Sequence, residues 1–202
     1  MYLIASVFRI IYFYNMISLR QFTLLMLTAT AVTLVSCHSK RAILKGEPGE
    51  VVKPQGFITD KYAAILQVDK RSIQNGRLYA FIEQWMGTPY QFGGLTQDGI
   101  DCSGLAFLLE QQVYGLSIPR MTSQQVQVIK RKYEDDLQEG DLVFFDFDGK
   151  KFSHVGIYLQ NGYVVHASSR RGVMIVNLHD PSMYKYFSRA GSVQNANTIA
   201  GQ

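Results

Sequence analysis

The chain has 202 residues, of which 12% are aromatic and 18% charged, a composition that suits a globular core and excludes a disordered protein. The formal net charge is +4, and Arg9 and Arg20 supply half of it within an N-terminal stretch that has no acidic side chain. The remaining charge is too small to favour nucleic acid as a partner. The two cysteines, Cys37 and Cys102, lie in very different contexts, so a disulfide framework is not expected.

Residues 1–36 are expected to be a targeting segment. Arg20 precedes an uncharged stretch, and Leu34-Val35-Ser36-Cys37 closes its apolar part. A basic start, a short apolar middle and a small residue before the cut are typical of a secretory signal. The last four residues resemble the bacterial lipobox, which predicts a lipid on Cys37 and a membrane-anchored protein of the cell envelope, facing the periplasm or the exterior. A transmembrane anchor is the alternative, and either one places the domain outside the cytoplasm.

Residues 37–75 lead from this segment into the domain. Lys, Glu, Pro and Gly are frequent from 38 to 56, which predicts a tether. Residues 57–75 are ambiguous between helix and strand and stay unassigned. The domain is expected at 76–191, followed by a polar tail at 192–202. Its first helix is predicted from Leu78, Phe81, Ile82 and Trp85, which recur at helical spacing before Gly87 and Pro89.

Asp101-Cys102-Ser103-Gly104 precedes a dense apolar run, which predicts a buried helix that starts near Cys102 and stops at Gly115. Asp101 or Ser103 could cap its first turn. Unpaired N–H groups at a helix N-terminus stabilise a thiolate, so a lowered thiol pKa and a nucleophilic role are expected for Cys102. A buried cysteine acting as a small hydrophobe fits this stretch equally well. A further short helix is expected after Pro119, capped by Thr122 or Ser123.

After Gly140 the apolar pattern becomes that of strands. Five are predicted, at 141–145, 155–159, 163–167, 173–176 and within 184–193, and helices followed by strands favour an α+β fold with an antiparallel sheet. The hairpin loop is expected to be Gln160-Asn161-Gly162, a type I turn followed by Gly162 at positive φ. That register puts His166 opposite Gly156 and on the same sheet face as His154, and we expect the Cys102 side chain over that face.

A nucleophilic cysteine needs a base, and the base needs an orienting partner. His154 opens one predicted strand and His166 lies in the next, so both can converge on one site, whereas His38 and His179 lie in the tether and a loop. Each histidine alone could be a surface or a core side chain. Zinc bound by Cys102, His154 and His166 is a further alternative, but no Cys or His near any of these three supplies a closely spaced pair of ligands.

These motifs together resemble the NlpC family of bacterial cell-wall cysteine peptidases, a papain-like group. The resemblance runs from about Gly76 to Gly191 and rests on six segments: Gly87–Gly94, Asp101–Gly104, Pro119–Gln124, Gly140–Phe145, Ser153–Tyr158 and Val165–Ala167. It implies a papain-like NlpC fold in which the helix of the nucleophile packs on a C-terminal sheet of about five strands. It implies no metal or organic cofactor.

Each site residue takes its expected role from this resemblance. Cys102 is implied as nucleophile, His154 as base and His166 as the residue that orients His154. Tyr90 is implied beside the nucleophile, where it would assist the oxyanion hole, with a core aromatic as the alternative. Asp101, Ser103 and Arg120 are implied to contact substrate. The alternative is helix capping for Asp101 and Ser103 and a surface salt bridge for Arg120.

The resemblance also implies the reaction. The expected substrates are peptidoglycan stem peptides, cut at the D-glutamyl-diaminopimelate bond or at the D-alanyl-diaminopimelate crosslink during cell-wall remodelling. One rival is an amidase or transacylase built on the same scaffold. The other is a non-catalytic wall-binding lipoprotein, against which an intact set of Cys102, His154 and His166 argues.

Overall fold

Helices occupy the first half of the described chain and strands the second half. The structure is a computed structural model that describes residues 47–49 and 52–194. Its helices are α1 (Gly56–Leu66), α2 (Gly76–Trp85), α3 (Cys102–Leu109), α4 (Thr122–Gln125) and α5 (Pro181–Tyr184). Its strands are β1 (Leu95–Thr96), β2 (Gly99–Ile100), β3 (Ile129–Lys132), β4 (Leu142–Phe145), β5 (His154–Tyr158), β6 (Tyr163–Ser168), β7 (Gly172–Asn177) and β8 (Phe187–Val193). This order confirms the predicted α+β class.

Strands β3 to β8 form one six-stranded antiparallel sheet in the order β3-β8-β4-β5-β6-β7, and β1 pairs with β2 separately. The sequence pattern predicts five of the six strands. It misses β3 because three of the four residues there, Lys130, Arg131 and Lys132, are basic. Strand β3 lies at the sheet edge, where charged side chains are tolerated and discourage pairing with other chains.

The sheet is buried on both faces. On one face, the main core joins the sheet to helices α1, α2 and α3 and includes Leu142, Phe144, Val155, Ile157 and Val165. On the other face, a smaller cluster contains Val143, Phe145, Val164, Leu178, Met183 and Ala190. Helix α3 packs on β5 and β6. Since neither face is left open to water, the central strands read as continuous apolar runs in the sequence.

Helix α1 extends the domain beyond its expected start at residue 76. Ile58, Tyr62 and Leu66 are buried in the main core, and the Tyr62 ring centroid lies 4.9 Å from that of Tyr79 in α2. These apolar residues recur every fourth position, which is helical spacing. The expected boundary is therefore wrong, because part of the hydrophobic core comes from the segment that the sequence left unassigned.

Segments on either side of the expected domain also contact it. In the stretch predicted as a tether, Val52 accepts a hydrogen bond from the backbone N–H of Gly76 (2.8 Å), and Gly49 donates one to the carbonyl of Val113 (2.9 Å). Ser192 and Val193, expected in the polar tail, are the last residues of β8. The predicted signal at 1–36, the lipidation site Cys37 and residues 195–202 lie outside the described residues.

No helix in the ranges 47–49 and 52–194 is both long and apolar enough to cross a membrane.

Helix α3 begins and ends as predicted. The Asp101 carboxylate caps it by accepting a hydrogen bond from the Gly104 N–H (2.7 Å). The chain continues as a π-helical turn, Glu110–Tyr114, which Gly115 ends at a φ of +71°. The capping predicted for α4 is wrong: Met121 holds the N-cap position and no side chain caps the helix.

The β5–β6 hairpin fixes how the two histidines face each other. Ile157 pairs with Val165, which is the predicted register, and Gly162 has the predicted positive φ, at +76°. The predicted turn type is wrong, because Asn161 also has a positive φ (+51°), as in a type I′ turn. The Leu159 N–H donates to the Tyr163 carbonyl (2.8 Å), and the Tyr163 N–H donates to the Gln160 carbonyl (3.0 Å). Two residues thus face Tyr163 in a bulge, which restores the register.

Glu110 introduces a pH-dependent stability into this fold. Burial of its side chain, assisted by the neighbouring Asp141 carboxylate, raises its pKa from 4.5 to about 8. Because the folded-state pKa exceeds the unfolded one, this carboxyl contributes its full stability below pH 4.5 and loses it as the pH rises through about 8.

We expect Glu110→Gln to raise the thermal unfolding midpoint over the parent at about pH 8.5 and to change it much less at about pH 5, because glutamine cannot ionise. Scanning calorimetry across this range measures the effect. Asp98→Asn, which removes an exposed carboxylate between β1 and β2, is the matched control and should show no pH-dependent gain. An equal gain for Glu110→Gln at both pH values would contradict the prediction.

Candidate active site

Cys102 is the first residue of α3, and its side chain is 6% exposed within the main core. Its thiol lies within hydrogen-bonding reach of the backbone N–H groups of Val155 and Ser103 and of the Thr122 hydroxyl. The start of α3 therefore points the sulfur at the first residues of β5, because Val155 directly follows His154.

The thiol is not a resting thiolate. Burial raises the pKa of Cys102 above its ordinary value and outweighs the hydrogen bonds from Val155, Ser103 and Thr122, and the Asp101 carboxylate raises it as well. The lowered pKa expected from the helix N-terminus is wrong, since the loss of hydration opposes the charge more strongly than the N–H groups favour it. A buried neutral thiol needs a base before it can attack.

The structure brings the two predicted histidines into direct contact. His154 Nε2 and His166 Nδ1 are 2.8 Å apart, and the two rings are nearly perpendicular with centroids 5.0 Å apart. A Cβ on Gly156 would lie 3.4 Å from the Cβ of His166 and 2.4 Å from a methyl carbon of Val164, so glycine leaves the room that this contact requires. The predicted shared face of His154 and His166 is confirmed.

Both histidines are neutral at neutral pH. Burial lowers the pKa of His154 to about 3, assisted by the neighbouring His166. Burial also lowers the pKa of His166 to about 4, assisted by the positive charge of Arg171. In a neutral pair one ring donates to the other. If His154 donates from Nε2 to His166, its own Nδ1 keeps a free lone pair, which is the form that a base requires.

Cys102 and His154 have different apolar neighbours in the structure. The ring of His154 lies on the sheet face of Phe145 and Phe147, with centroids 6.0 Å and 5.2 Å away, whereas Cys102 packs with the main core. The expectation that Cys102 lies over the face of the two histidines stays a prediction. Within the described residues, the β5–β6 ladder comprises only the pairs Ile157 with Val165 and Tyr158 with Val164, so the start of β5 is free of β6. The thiol lies near the backbone N–H of Val155, so the thiol and the ring of His154 both adjoin this strand start.

Tyr90 lies beside the nucleophile, as the resemblance implies. It forms an isolated bridge with Ile100, and its half-buried ring packs against the main core. Burial raises the pKa of its phenol, and the proximity of Cys102 and Asp101 raises it further. The hydroxyl therefore stays protonated and can donate a hydrogen bond near the sulfur, while the ring also serves as a core aromatic.

The three predicted substrate contacts bind one another. Arg120 forms a two-pronged ion pair with Asp101, at 2.9 and 3.0 Å, and donates to the Ser103 hydroxyl at 2.7 Å. Ser103 donates to Asp101 in turn (3.0 Å). Burial alone would raise the pKa of Asp101, but the hydrogen bonds from Arg120, Gly104 and Gly93 hold it below its usual value. Contact of these residues with substrate stays a prediction.

Two residues near the nucleophile had no assigned role in the sequence. The hydroxyl of Thr122 reaches the thiol, although the sequence suggests only helix capping for it. Gln125 is fully buried, and its amide donates to the carbonyls of Ser103 and Pro119, each at 2.9 Å. The only sequence signal was that Thr122 lies in one of the resemblance segments. These contacts depend on α4 lying against the start of α3, which the sequence pattern does not reveal.

We expect Thr122→Val to raise the thiol pKa and to slow alkylation of Cys102 by iodoacetamide at neutral pH by about threefold to tenfold, the value of one lost hydrogen bond. Alkylation rates measured against pH should show the whole profile moved to higher pH. The matched control is Ser123→Ala, which removes the neighbouring exposed hydroxyl. An unchanged profile in Thr122→Val would show that this hydroxyl does not act on the sulfur.

Comparison with known proteins identifies a family for this chain. The model of the NlpC/P60 family matches residues 87–192. Murein DD-endopeptidase MepS/Murein LD-carboxypeptidase of Escherichia coli strain K12 is 39% identical over 169 residues, which cover 82% of this chain and 88% of that protein. Probable endopeptidase NlpC of the same strain is 40% identical over 110 residues, which cover 54% of this chain and 71% of that protein.

Solved structures resemble the fold. The NlpC/p60 domain of the peptidoglycan hydrolase SagA matches with a TM-score of 0.50 and 28% identity, over 57% of this chain and 96% of that one. An NlpC/P60 family protein from Bacillus cereus ATCC 10987 matches with a TM-score of 0.51 over 72% of this chain and 42% of that one, and at 23% identity it shows the fold alone. Because the family match at residues 87–192 spans more than half of the chain and includes the nucleophile and both histidines, this chain belongs to the NlpC/P60 family and is a peptidase.

Proposed function

We propose that the chain is a cysteine endopeptidase that hydrolyses amide bonds in peptidoglycan stem peptides. The observation that carries this proposal is that the Cys102 thiol lies near the backbone N–H of Val155, the residue that follows His154. His154 Nε2 is in turn 2.8 Å from His166 Nδ1. The substrate class is suggested by the names of two similar proteins, a murein DD-endopeptidase and a peptidoglycan hydrolase.

The first half of the reaction starts from a neutral thiol and a neutral imidazole. His154 takes the thiol proton as the scissile carbonyl approaches, and the sulfur of Cys102 attacks the carbonyl carbon to form a tetrahedral oxyanion. The oxyanion collapses, the C–N bond breaks, and the proton on His154 passes to the leaving amine. The product is a thioester between Cys102 and the acyl part of the substrate.

The low pKa of His154 suits the second of these proton transfers. A buried imidazolium whose pKa is about 3 is a strong acid, so it gives up its proton readily to a departing amine. The imidazolium exists only while it is paired with the negative charge formed at the sulfur or the oxyanion. His166 holds the ring of His154 by their mutual hydrogen bond and so maintains the tautomer that accepts the proton.

Water completes the reaction. It attacks the thioester carbonyl, His154 accepts a proton from it, and the collapse of the second oxyanion releases the acid and regenerates the thiol. Donors near the sulfur are the Ser103 N–H at the start of α3 and the protonated hydroxyl of Tyr90. We propose that these groups stabilise the oxyanion in both halves of the reaction.

Two bonds in the stem peptide are candidates for cleavage. They are the D-glutamyl-diaminopimelate bond and the D-alanyl-diaminopimelate crosslink. The relative that matches over 88% of its own length is named a DD-endopeptidase, and a crosslink between two D-centres fits that name. We therefore propose the D-alanyl-diaminopimelate crosslink as the bond to test first.

The enzyme proposal is tested with purified peptidoglycan and mass spectrometry of the released muropeptides. We expect the parent to convert crosslinked dimers into monomers and Cys102→Ala to lose this activity by on the order of a millionfold while it keeps the parent's thermal unfolding midpoint. Cys102→Ser serves as a second variant of nearly unchanged size.

The products separate the rival functions. Release of monomers that differ from the dimer by one added water identifies hydrolysis, whereas transfer to an amine or a sugar identifies a transacylase, and release of intact peptides from glycan identifies an amidase. Digestion of the wall by Cys102→Ala at the parent's rate would refute the cysteine peptidase mechanism.

We further propose that the protein is attached to a membrane through a lipid on Cys37. The support is the sequence alone: an uncharged apolar run that ends at Leu34-Val35-Ser36-Cys37. Expression of the full chain with radiolabelled palmitate should label the parent and leave Cys37→Ser unlabelled, with its signal retained. The matched control is Cys102→Ser, which should be labelled like the parent. Equal labelling of the parent and Cys37→Ser would rule out this attachment site.

A further inference from the structure

Three large apolar side chains are exposed on segments that adjoin the start of α3. Phe92 is 89% exposed, Met121 is 55% exposed and Leu95 is 38% exposed. The other large exposed apolar side chains in the described residues are Phe57, Tyr133 and Tyr184. Three of these six exposed side chains therefore lie in the two segments that adjoin the start of α3. Exposed apolar groups that collect at one place mark an interaction site more often than chance surface exposure.

All three residues belong to segments that contact the ion pair between Asp101 and Arg120. Phe92 precedes Gly93, whose N–H donates to the Asp101 carboxylate at 2.7 Å. Met121 directly follows Arg120. The Leu95 side chain lies 3.0 Å from the point where a Cβ on Gly104 would stand, and Gly104 is in the first turn of α3.

The ion pair also fixes the two loops to each other. Arg120 donates to the Gly94 carbonyl at 3.2 Å while it binds Asp101, so the loop of Phe92 and the loop of Met121 are joined across the start of α3. The backbone segments that carry the exposed apolar side chains are thus fixed by the hydrogen bonds of Arg120. A preorganised apolar surface loses little conformational freedom when a ligand binds to it.

The charges beside these side chains cancel. Arg120 neutralises Asp101, and the Asp101 oxygens are further engaged by Ser103, Gly93 and Gly104. A ligand at the ion pair therefore meets no net charge from Asp101 and Arg120, and burial of apolar area supplies favourable contacts there. A stem peptide offers such area in the methyl groups of its alanines and the methylene chain of diaminopimelate.

We propose that Phe92, Leu95 and Met121 form an apolar rim that holds the aliphatic side chains of the stem peptide against the start of α3. The inference rests on the proposed function and deepens it, because it names the part of the substrate that the cleft recognises. Binding at the rim is expected to contribute equally to the ground state and the transition state, since the rim touches no reacting atom. Its loss should therefore raise KM and leave kcat nearly unchanged.

The test measures kcat and KM with purified muropeptide dimers as substrate. Phe92→Ser and Met121→Ser should each raise KM by roughly fivefold to tenfold, the loss expected for one large apolar contact, with kcat within about twofold of the parent. Phe92→Leu should keep most of the parent's affinity, because it retains apolar area. Tyr133→Ser is the matched control, since Tyr133 is an aromatic side chain with 76% exposure outside the rim, and it should leave KM unchanged.

Alkylation of Cys102 by iodoacetamide accompanies each assay and should proceed at the parent's rate in all these variants. A KM for Phe92→Ser equal to that of Tyr133→Ser would overturn the rim while leaving the peptidase assignment intact. A fall in kcat at constant KM would also overturn it, because the residue would then act on catalytic geometry. If the parent itself hydrolyses no muropeptide dimer although Cys102 is alkylated normally, the proposed function fails and the rim fails with it.

Discussion

A single buried carboxylate organises the candidate site. Asp101 is 5% exposed and accepts five hydrogen bonds, from the backbone of Gly93 and Gly104, from the hydroxyl of Ser103 and twice from Arg120. These bonds start helix α3, close the loop ahead of it and bind the segment that leads to α4. Because a buried charge is stable only when it is fully paired, the position of each partner is closely constrained, and the place of the nucleophile follows from theirs.

The chemistry of the site depends on the exclusion of water. Burial keeps the thiol of Cys102 protonated and both imidazoles unprotonated, so the resting site holds no net charge among its three reacting groups. Charge separation is then favoured only when a substrate supplies a developing oxyanion and the donors around the sulfur can stabilise it. A resting ion pair, in contrast, would expose a reactive thiolate to oxidants and alkylating agents at all times.

The sequence predicted those parts of the fold that a local residue pattern determines. Apolar spacing and a stop glycine located α2 and α3, and the hairpin register followed from the requirement that His154 and His166 share a face. It failed where tertiary contacts decide. The basic strand β3 shows no apolar pattern, and α1 stayed unassigned although Ile58, Tyr62 and Leu66 recur at helical spacing, because their burial depends on partners elsewhere in the chain. The thiol pKa was wrong for the same reason, because burial of Cys102 depends on elements distant in the chain.

The β5–β6 loop has a consequence for how this family can change. Surface loops usually accept insertions and deletions, but here the bulge beside Asn161 and Gly162 sets which way the following strand faces. Adding or removing one residue would turn His166 to the opposite side of the sheet. The apolar residues of β6 would then also face the wrong side unless a new bulge restored the register. The length of an exposed turn thus determines whether His166 can reach His154. Relatives with a turn of another length must either restore the β5–β6 register elsewhere or do without the second histidine.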